Sequence, residues 1–349
     1  MAQNLNLITI EETPYNAATP LAALTEPVTP SELFYVRNHF QVPDLGLEEW
    51  RLKIEGLVQA PTEFSLADLQ ALGSRTCRML MECAGNAREE LSPPAPGTQW
   101  DHGAVSQADF TGVPLHQLLG SVGVLDSEVE ILFEGADGGM VESDRRVNYA
   151  RSLPLDKALH PDTLLAWAMN GKPLPKNHGY PLRLIVPNWY GMASVKWLTR
   201  IEAVSEPFAG YFQRERYIYL SEQTSKRIQP VTEIKVRSLI THPSDGSALH
   251  HANALIQGLA WSGQAPVERV ELSWDDGQHW QKAKFTPSPA RYAAGSWQFH
   301  LPELEPGEYT LAVRAHDQAG NSQPLEPQWN SLGYGNNGVQ SIKVALLGV

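Results

Sequence analysis

Between residues 234 and 348 the chain repeats one pattern: a short alternating run, a tight turn, then another run. "IKVRSLITHPSDGSALHHANALIQGLAWSG" (234–263) leads into "VERVELSWDDGQHWQKAKF" (267–285), then "GSWQFHLPELEPGEYTLAVRAHDQAGN" (295–321) and "GVQSIKVALLG" (338–348). Period-two alternation puts apolar side chains on one face of a strand, and D-G, P-G and G-N pairs supply the turn conformations that join neighbouring strands. This third of the chain reads as an antiparallel β-sandwich of immunoglobulin-like type.

Upstream the texture differs. "EEWRLKIEGLVQAPTEFSLADL" (48–69) reads as a strand, a turn and a helix, with Trp50, Leu52 and Ile54 alternating and Ser65 as N-cap. "FTGVPLHQLLGSVGV" (110–124) carries a short helix over Leu115, Leu118 and Leu119, and "VEILFEGADGG" (129–139) is a strand running into a turn. Residues 162–204 alternate strands with Pro/Gly turns. These pieces predict an α+β domain of mixed sheet with few long helices. With 349 residues the chain has length for two domains, set here at 1–230 and 231–349.

The net charge of −12 disfavours nucleic acid and anionic membranes as partners, while leaving a local pocket free to carry the opposite sign. There is no apolar run of spanning length, and the N-terminus lacks the basic start and apolar core of a leader. The expectation is a cytoplasmic protein, or a periplasmic one if a leader was trimmed. Cys77 and Cys83 are too far apart along an extended strand to bridge, and neither a C-x-x-C-H haem motif nor a four-cysteine cluster is present.

Cys83 ends the apolar run of "MLMECAGNARE" (79–89), where Ala84, Gly85 and Asn86 turn the chain toward Arg88. Three readings compete: a small buried residue, a nucleophile (which lacks a local base signature), or a thiolate ligand held at the rim of a cavity. A single cysteine as ligand requires a cofactor to supply the others. Donor-rich segments exist for one: Arg37, Asn38 and His39 in "FYVRNHF", His178 and Arg183 in "HGYPLR", Ser194 and Lys196 in "GMASVKW". Arginine, lysine and open backbone amides suit a phosphate or the edge of a pterin ring.

In this order, FYVRNH, ECAGN-x-R, FEGAD, HGYP-x-R and SVKW followed by a β-sandwich resemble the sulfite oxidase family of molybdenum enzymes, over nearly the whole chain. The resemblance implies that Cys83 ligates molybdenum of a molybdopterin cofactor. It implies cofactor contacts from Tyr35, Val36, Arg37, Asn38, His39, Asp137, His178, Arg183, Ser194, Val195 and Lys196. Arg37, Arg88, Trp100 and Tyr217 take the places of catalytic-pocket residues. It further implies oxidation of sulfite to sulfate by oxo transfer, an external electron acceptor, no haem in this chain, and a homodimer built through the sandwich.

Three positions depart from the family pattern: Ala87 and Ala193 where arginines are usual, and Arg216 where an acid usually precedes the tyrosine. They bear on which anion the pocket prefers. Arg291 is weighed as a further pocket arginine from the C-terminal domain against a surface loop residue. Two other readings stay open: an oxo-transfer reductase for nitrate or a sulfoxide, and a cofactor-free sandwich protein for binding or assembly. Cys77, the pair His250 and His251, and Trp261, Trp274, Trp280 and Trp297 are read as strand and sandwich residues.

Overall fold

The computed structural model describes residues 5–125, 129–220, 229–250 and 254–348. Its first part is built on two five-stranded sheets. One runs Lys172–Pro173, Leu164–Met169, Val105–Pro114, Arg75–Glu82, with Arg183–Ile185 also paired to Leu164–Met169. The other runs Thr62–Phe64, Leu52–Gly56, Leu198–Val204, Glu130–Met140, Arg146–Pro154. Only the Leu52–Gly56 and Leu198–Val204 pair is parallel in these two sheets, which makes the second one mixed.

Local sequence accounts for the short helices. Ser65 caps Leu66–Ala71: its hydroxyl accepts from the Asp68 amide, and Asp68 reaches back to the Ser65 amide. Such a reciprocal cap is worth ~1 kcal/mol. Leu115–Val122 buries Leu115, Leu118, Leu119 and Val122, the spacing of one helical face. The strand at 130 does not stop at the Gly-Ala-Asp turn. It continues to Met140, with an irregularity between Glu134 and Gly138 that turns Asp137 away from regular pairing.

The C-terminal part is a two-sheet sandwich. Arg237–His242, Leu255–Trp261, Gly295–His300 and Lys284–Thr286 form one sheet; Ser247–His250, Gln340–Leu347, Gly307–Asp317, Val267–Ser273 and Gln281–Lys282 form the other. Pairing is not wholly antiparallel, because Ser247–His250 runs parallel to Gln340–Leu347 at the edge. Asp276 and Gly277, both at positive φ, turn the chain in "DDGQHW". Trp297 is buried in the sandwich core with Trp274 packed against it, and His250 is exposed at an edge; His251 lies outside the described residues.

A separate apolar cluster joins the two parts. Leu239, Leu259, Trp261, Ala294 and Tyr334 of the sandwich share one core with Leu80, Ala84, Tyr190, Met192 and Tyr217. The cysteine-bearing strand therefore ends against both domains.

Candidate active site

The strand Arg75–Glu82 grows progressively more buried toward its end and delivers Cys83 at 6% exposure. The Cys83 amide continues the pairing by donating to Ala104 O (2.9 Å), and its carbonyl accepts from the Asn86 amide (3.0 Å) to close the turn. The Asn86 side chain ties the loop on both sides, donating to Glu82 Oε1 and accepting from the Ala104 amide, each at 3.0 Å. Gly85 is required because Arg88 folds back over it: a Cβ there would lie 2.6 Å from the guanidinium nitrogens. Burial pushes the Cys83 thiol up, and Arg37 opposes that shift.

Two cavities meet at Cys83. The inner one is lined by Tyr35, Arg37, His39, Asp137, His178, Arg183, Ser194, Lys196 and Tyr217, with Phe34, Met81, Tyr149, Gly191 and Met192. Arg183 donates to His178 O (2.9 Å) and Ser194 O (3.3 Å), while its Nε has no partner. Lys196 Nζ donates to Asn177 O (2.8 Å) and to Asn38 Oδ1. Asp137 Oδ1 is also buried without a partner.

Burial and crowding of like charge disfavour the cations of this set. Burial, with Arg183 beside it, holds the Lys196 ammonium well below its usual range. Burial and the neighbouring Lys196 bring His178 down to about 3. Burial lowers Arg183 to about 10 and raises Asp137 to about 7. Cations destabilised this way demand an anion, and unpaired polar atoms at Arg183 and Asp137 demand hydrogen-bonding partners.

The outer cavity shares Arg37, His39, Cys83 and Tyr217 with the inner one and adds Arg88, Arg216, Tyr334, Tyr211 and Phe212. Arg88 is 4% exposed; its Nη1 donates to Thr98 O (2.8 Å) and its Nη2 to Leu332 O (3.3 Å). Arg216 Nε donates to the Tyr211 hydroxyl (3.0 Å). His39 Nε2 and Tyr217 Oη share a hydrogen bond of 2.7 Å. Burial and the guanidinium of Arg37 keep His39 well below its usual range, so the ring is neutral, and burial keeps Tyr217 a phenol.

The expected residues divide into three groups. Tyr35, Arg37, His39, Asp137, His178, Arg183, Ser194, Lys196, Cys83, Arg88 and Tyr217 line one or both cavities. Val36, Asn38 and Val195 stand behind the wall: Val36 pairs with Ala17, Asn38 anchors Lys196, and Val195 is fully buried in the core. Trp100 is fully buried outside both linings, packed edge-on against Tyr35 at 6.5 Å. Arg291 is exposed over Tyr292 and lines neither cavity at Cys83, so the surface-loop alternative describes it. Ala87, at φ +58 and fully buried, donates its amide to Asp101 O at 2.6 Å.

Sequence reasoning missed Tyr334, Tyr149 and Arg151. Arg151 is buried with its guanidinium 5.7 Å from the Tyr217 ring centre and its Nη1 on Phe212 O. It sits mid-strand, where an arginine flanked by small residues was the available signal. It also missed Arg237, which is 1% exposed and reaches Glu82 Oε1 at 3.2 Å, His102 Nδ1 at 2.8 Å and Asn336 O at 2.8 Å.

Comparison with known proteins decides the family. Residues 39–212 match the oxidoreductase molybdopterin binding domain and residues 228–346 the Mo-co oxidoreductase dimerisation domain. The chain is 33% identical over 345 residues to a sulfite oxidase of Gallus gallus, covering 92% of this chain and 74% of that protein. It belongs to the sulfite oxidase family of molybdopterin oxidoreductases. Mitochondrial sulfite oxidase of Rattus norvegicus is 34% identical over 358 residues, covering 96% of this chain; the chain spans 64% of that relative's length. The crystal structure of the sulfane dehydrogenase SoxCD from Paracoccus pantotrophus superposes with a TM-score of 0.82 at 29% identity, covering 98% of this chain and 86% of that one. The family fold, a molybdopterin-binding domain followed by an all-β domain, is the one described above. No described helix is long and apolar enough to cross a membrane.

Proposed function

We propose that this chain oxidises sulfite to sulfate with a molybdopterin cofactor held in the inner cavity and the anion bound in the outer one. The observation that carries the reading is the position of Cys83, at the junction of a cation-rich chamber and a mouth that holds Arg37, Arg88 and Arg216. The donor set fits the cofactor. Arg183, Lys196 and His178 face an anionic, hydrogen-bonding group, and the orphaned Arg183 Nε and Asp137 Oδ1 offer it a donor and an acceptor. When bound, the group would supply a molybdenum, ligated by the Cys83 sulfur, that exchanges an oxygen atom and two electrons with the substrate.

The chain's own residues bind and orient. Arg37 and Arg88 offer guanidinium forks to the oxyanion, and the buried phenol of Tyr217 holds a proton at Oη beside neutral His39. The reaction consumes water and releases two electrons and two protons per sulfite, and the electrons go to an external acceptor. We place the domain boundary at 230/231 and assign the sandwich to homodimer formation; light scattering of the purified protein reads the dimer.

The test is metal analysis with turnover. Protein made in a host that synthesises the cofactor should carry about one molybdenum per chain and reduce an artificial acceptor with sulfite. Cys83→Ser should fold yet hold less than ~0.1 molybdenum per chain, because a lost soft ligand is not replaced by a hydroxyl. A folded Cys83→Ser variant with full metal content refutes the ligand assignment.

A further inference from the structure

Among the described residues, the C-terminal domain reaches the outer cavity through Tyr334, in the loop 330–336. Its two arginines nearest the strand end are otherwise engaged: Arg291 lies over Tyr292 on the surface, and Arg237 is spent on Glu82, His102 and Asn336. What this domain presents to the cavity is an aromatic face, Tyr334. We propose that Tyr334 is a positioning residue for the oxyanion site: it fixes the guanidinium of Arg88 and the ring of Tyr217, so the site is incomplete without the C-terminal domain. This rests on the reading of the outer cavity as the anion site.

The geometry of Arg88 is the first argument. Its nitrogens reach Thr98 O from its own domain and Leu332 O from the loop, and its Nε has no partner. Two hydrogen bonds and close packing on Gly85 and Gly97 hold the guanidinium. The Tyr334 ring adds a contact from the C-terminal domain, with the guanidinium carbon 5.0 Å from the ring centre. Gly333, at φ +63, lets the loop come this close: a Cβ there would stand 2.8 Å from Arg88 Nε.

Tyr217 supplies the second argument. Its backbone is in the left-handed region at φ +49, which is strained for a bulky residue and persists only where surroundings hold it. The Val231 amide holds the Tyr217 carbonyl (2.8 Å), His39 holds its hydroxyl, and its ring lies between Arg151 and a stack on Tyr334, centroids 4.8 Å apart and planes 28° apart. The Tyr334 ring thus touches both side chains that frame the mouth.

Tyr334 is itself clamped. Asn330 Oδ1 accepts from the Tyr334 amide (3.1 Å) and Asn330 Nδ2 donates to the Tyr334 carbonyl (2.8 Å). The next amide, Gly335 N, donates to Ala84 O (2.7 Å), and Asn336 Nδ2 donates to Ala87 O (2.8 Å). The loop is bolted to the turn that follows Cys83. Burial keeps the Tyr334 phenol protonated, so its face stays neutral beside Arg88.

The test compares Tyr334→Leu and Tyr334→Phe in the full-length, metal-loaded protein, with molybdenum content and circular dichroism as fold controls. Sulfate binding by calorimetry and steady-state sulfite kinetics are both read. Tyr334→Leu should weaken sulfate binding and raise KM by ~10-fold, within the range of a desolvated cation–π contact, while kcat changes less than ~3-fold. Tyr334→Phe, which keeps the ring, should stay within ~2-fold of wild type in both measurements. Unchanged sulfate affinity and KM in Tyr334→Leu overturn the proposal, as does a Phe variant as impaired as the Leu one. If Tyr334→Leu does not fold, Tyr334→Met takes its place, and retained sulfate affinity and KM there are the refuting result. A wild-type protein that binds no sulfate and turns over no sulfite overturns the functional reading and this proposal together, whereas a functional wild type with an indifferent Tyr334→Leu overturns only the latter.

Discussion

Arg237→Ala is expected to cost about 3–5 kcal/mol of folding stability at about pH 8, the range for removing one partner of a buried ion pair. Glu82 and Arg237 are each 1% exposed, with Nη1 and Oε1 3.2 Å apart. The variant leaves Glu82 with only two neutral donors, Asn86 Nδ2 (3.0 Å) and Trp261 Nε1 (2.9 Å). Burial already pushes the Glu82 carboxyl above the usual carboxylate range, against the pull of Arg237. Without the arginine it rises further. A folded-state value above the unfolded one means that the native state holds the proton more tightly. Stability therefore falls as pH climbs from the ordinary carboxylate value through the raised one, by up to ~1.36 kcal/mol per pH unit. The penalty is near full size at about pH 8 and shrinks toward about pH 5, where Glu82 is neutral in the variant. Urea unfolding of wild type and variant at both pH values measures it, given equal m-values. The double variant Glu82→Gln with Arg237→Met should recover at least about half the loss, because neither buried charge is left alone. A penalty below ~1 kcal/mol at about pH 8, or one equal at both pH values, refutes the reasoning.

Two further outcomes concern the cavities. Arg216→Glu reverses a charge in the mouth that faces Arg37 and Arg88, so kcat/KM for sulfite should drop ~10-fold at low salt and the deficit should narrow as salt rises; a deficit insensitive to ionic strength counts against a steering role. Asp137, raised to about 7 by burial, costs the cofactor-free protein stability as pH rises from the ordinary carboxylate value through about 7. Asp137→Asn should flatten that decline by up to a few kcal/mol, and identical urea midpoints for wild type and variant across this window argue against it.

The residues legible from sequence are those whose role is written locally. The Cys-Ala-Gly-Asn turn, the capped helix at Ser65 and the alternating sandwich strands each depend on neighbours within a few positions. The resemblance of "QWDHGAVS" to the family's pattern places Trp100 in the pocket, whereas the structure buries it edge-on against Tyr35, outside both linings. Tyr334 lies in a loop without periodicity, 117 positions from its stacking partner Tyr217, and nothing local marks it. The buried Arg237 reads as an ordinary strand charge until Glu82, from the other domain, is placed opposite. The parallel pairing of Ser247–His250 with Gln340–Leu347 is equally non-local. Long-range contacts are invisible to periodicity, and they are the ones that finish the site.

The bolts between loop 330–336 and the turn after Cys83 also impose an order of events on biosynthesis. Ribosomes add ~5–20 residues per second, so Asn336 is made roughly 10–50 s after Arg88. Through that interval the turn after Cys83 lacks its partners from loop 330–336, and for the first part of it Glu82 also lacks Arg237 and Trp261. The turn after Cys83 is therefore completed only once residues 330–336 have been made. A truncation that removes residues 330–336 unfastens the turn after Cys83 and the edge of Arg88 along with the last strand of the sandwich.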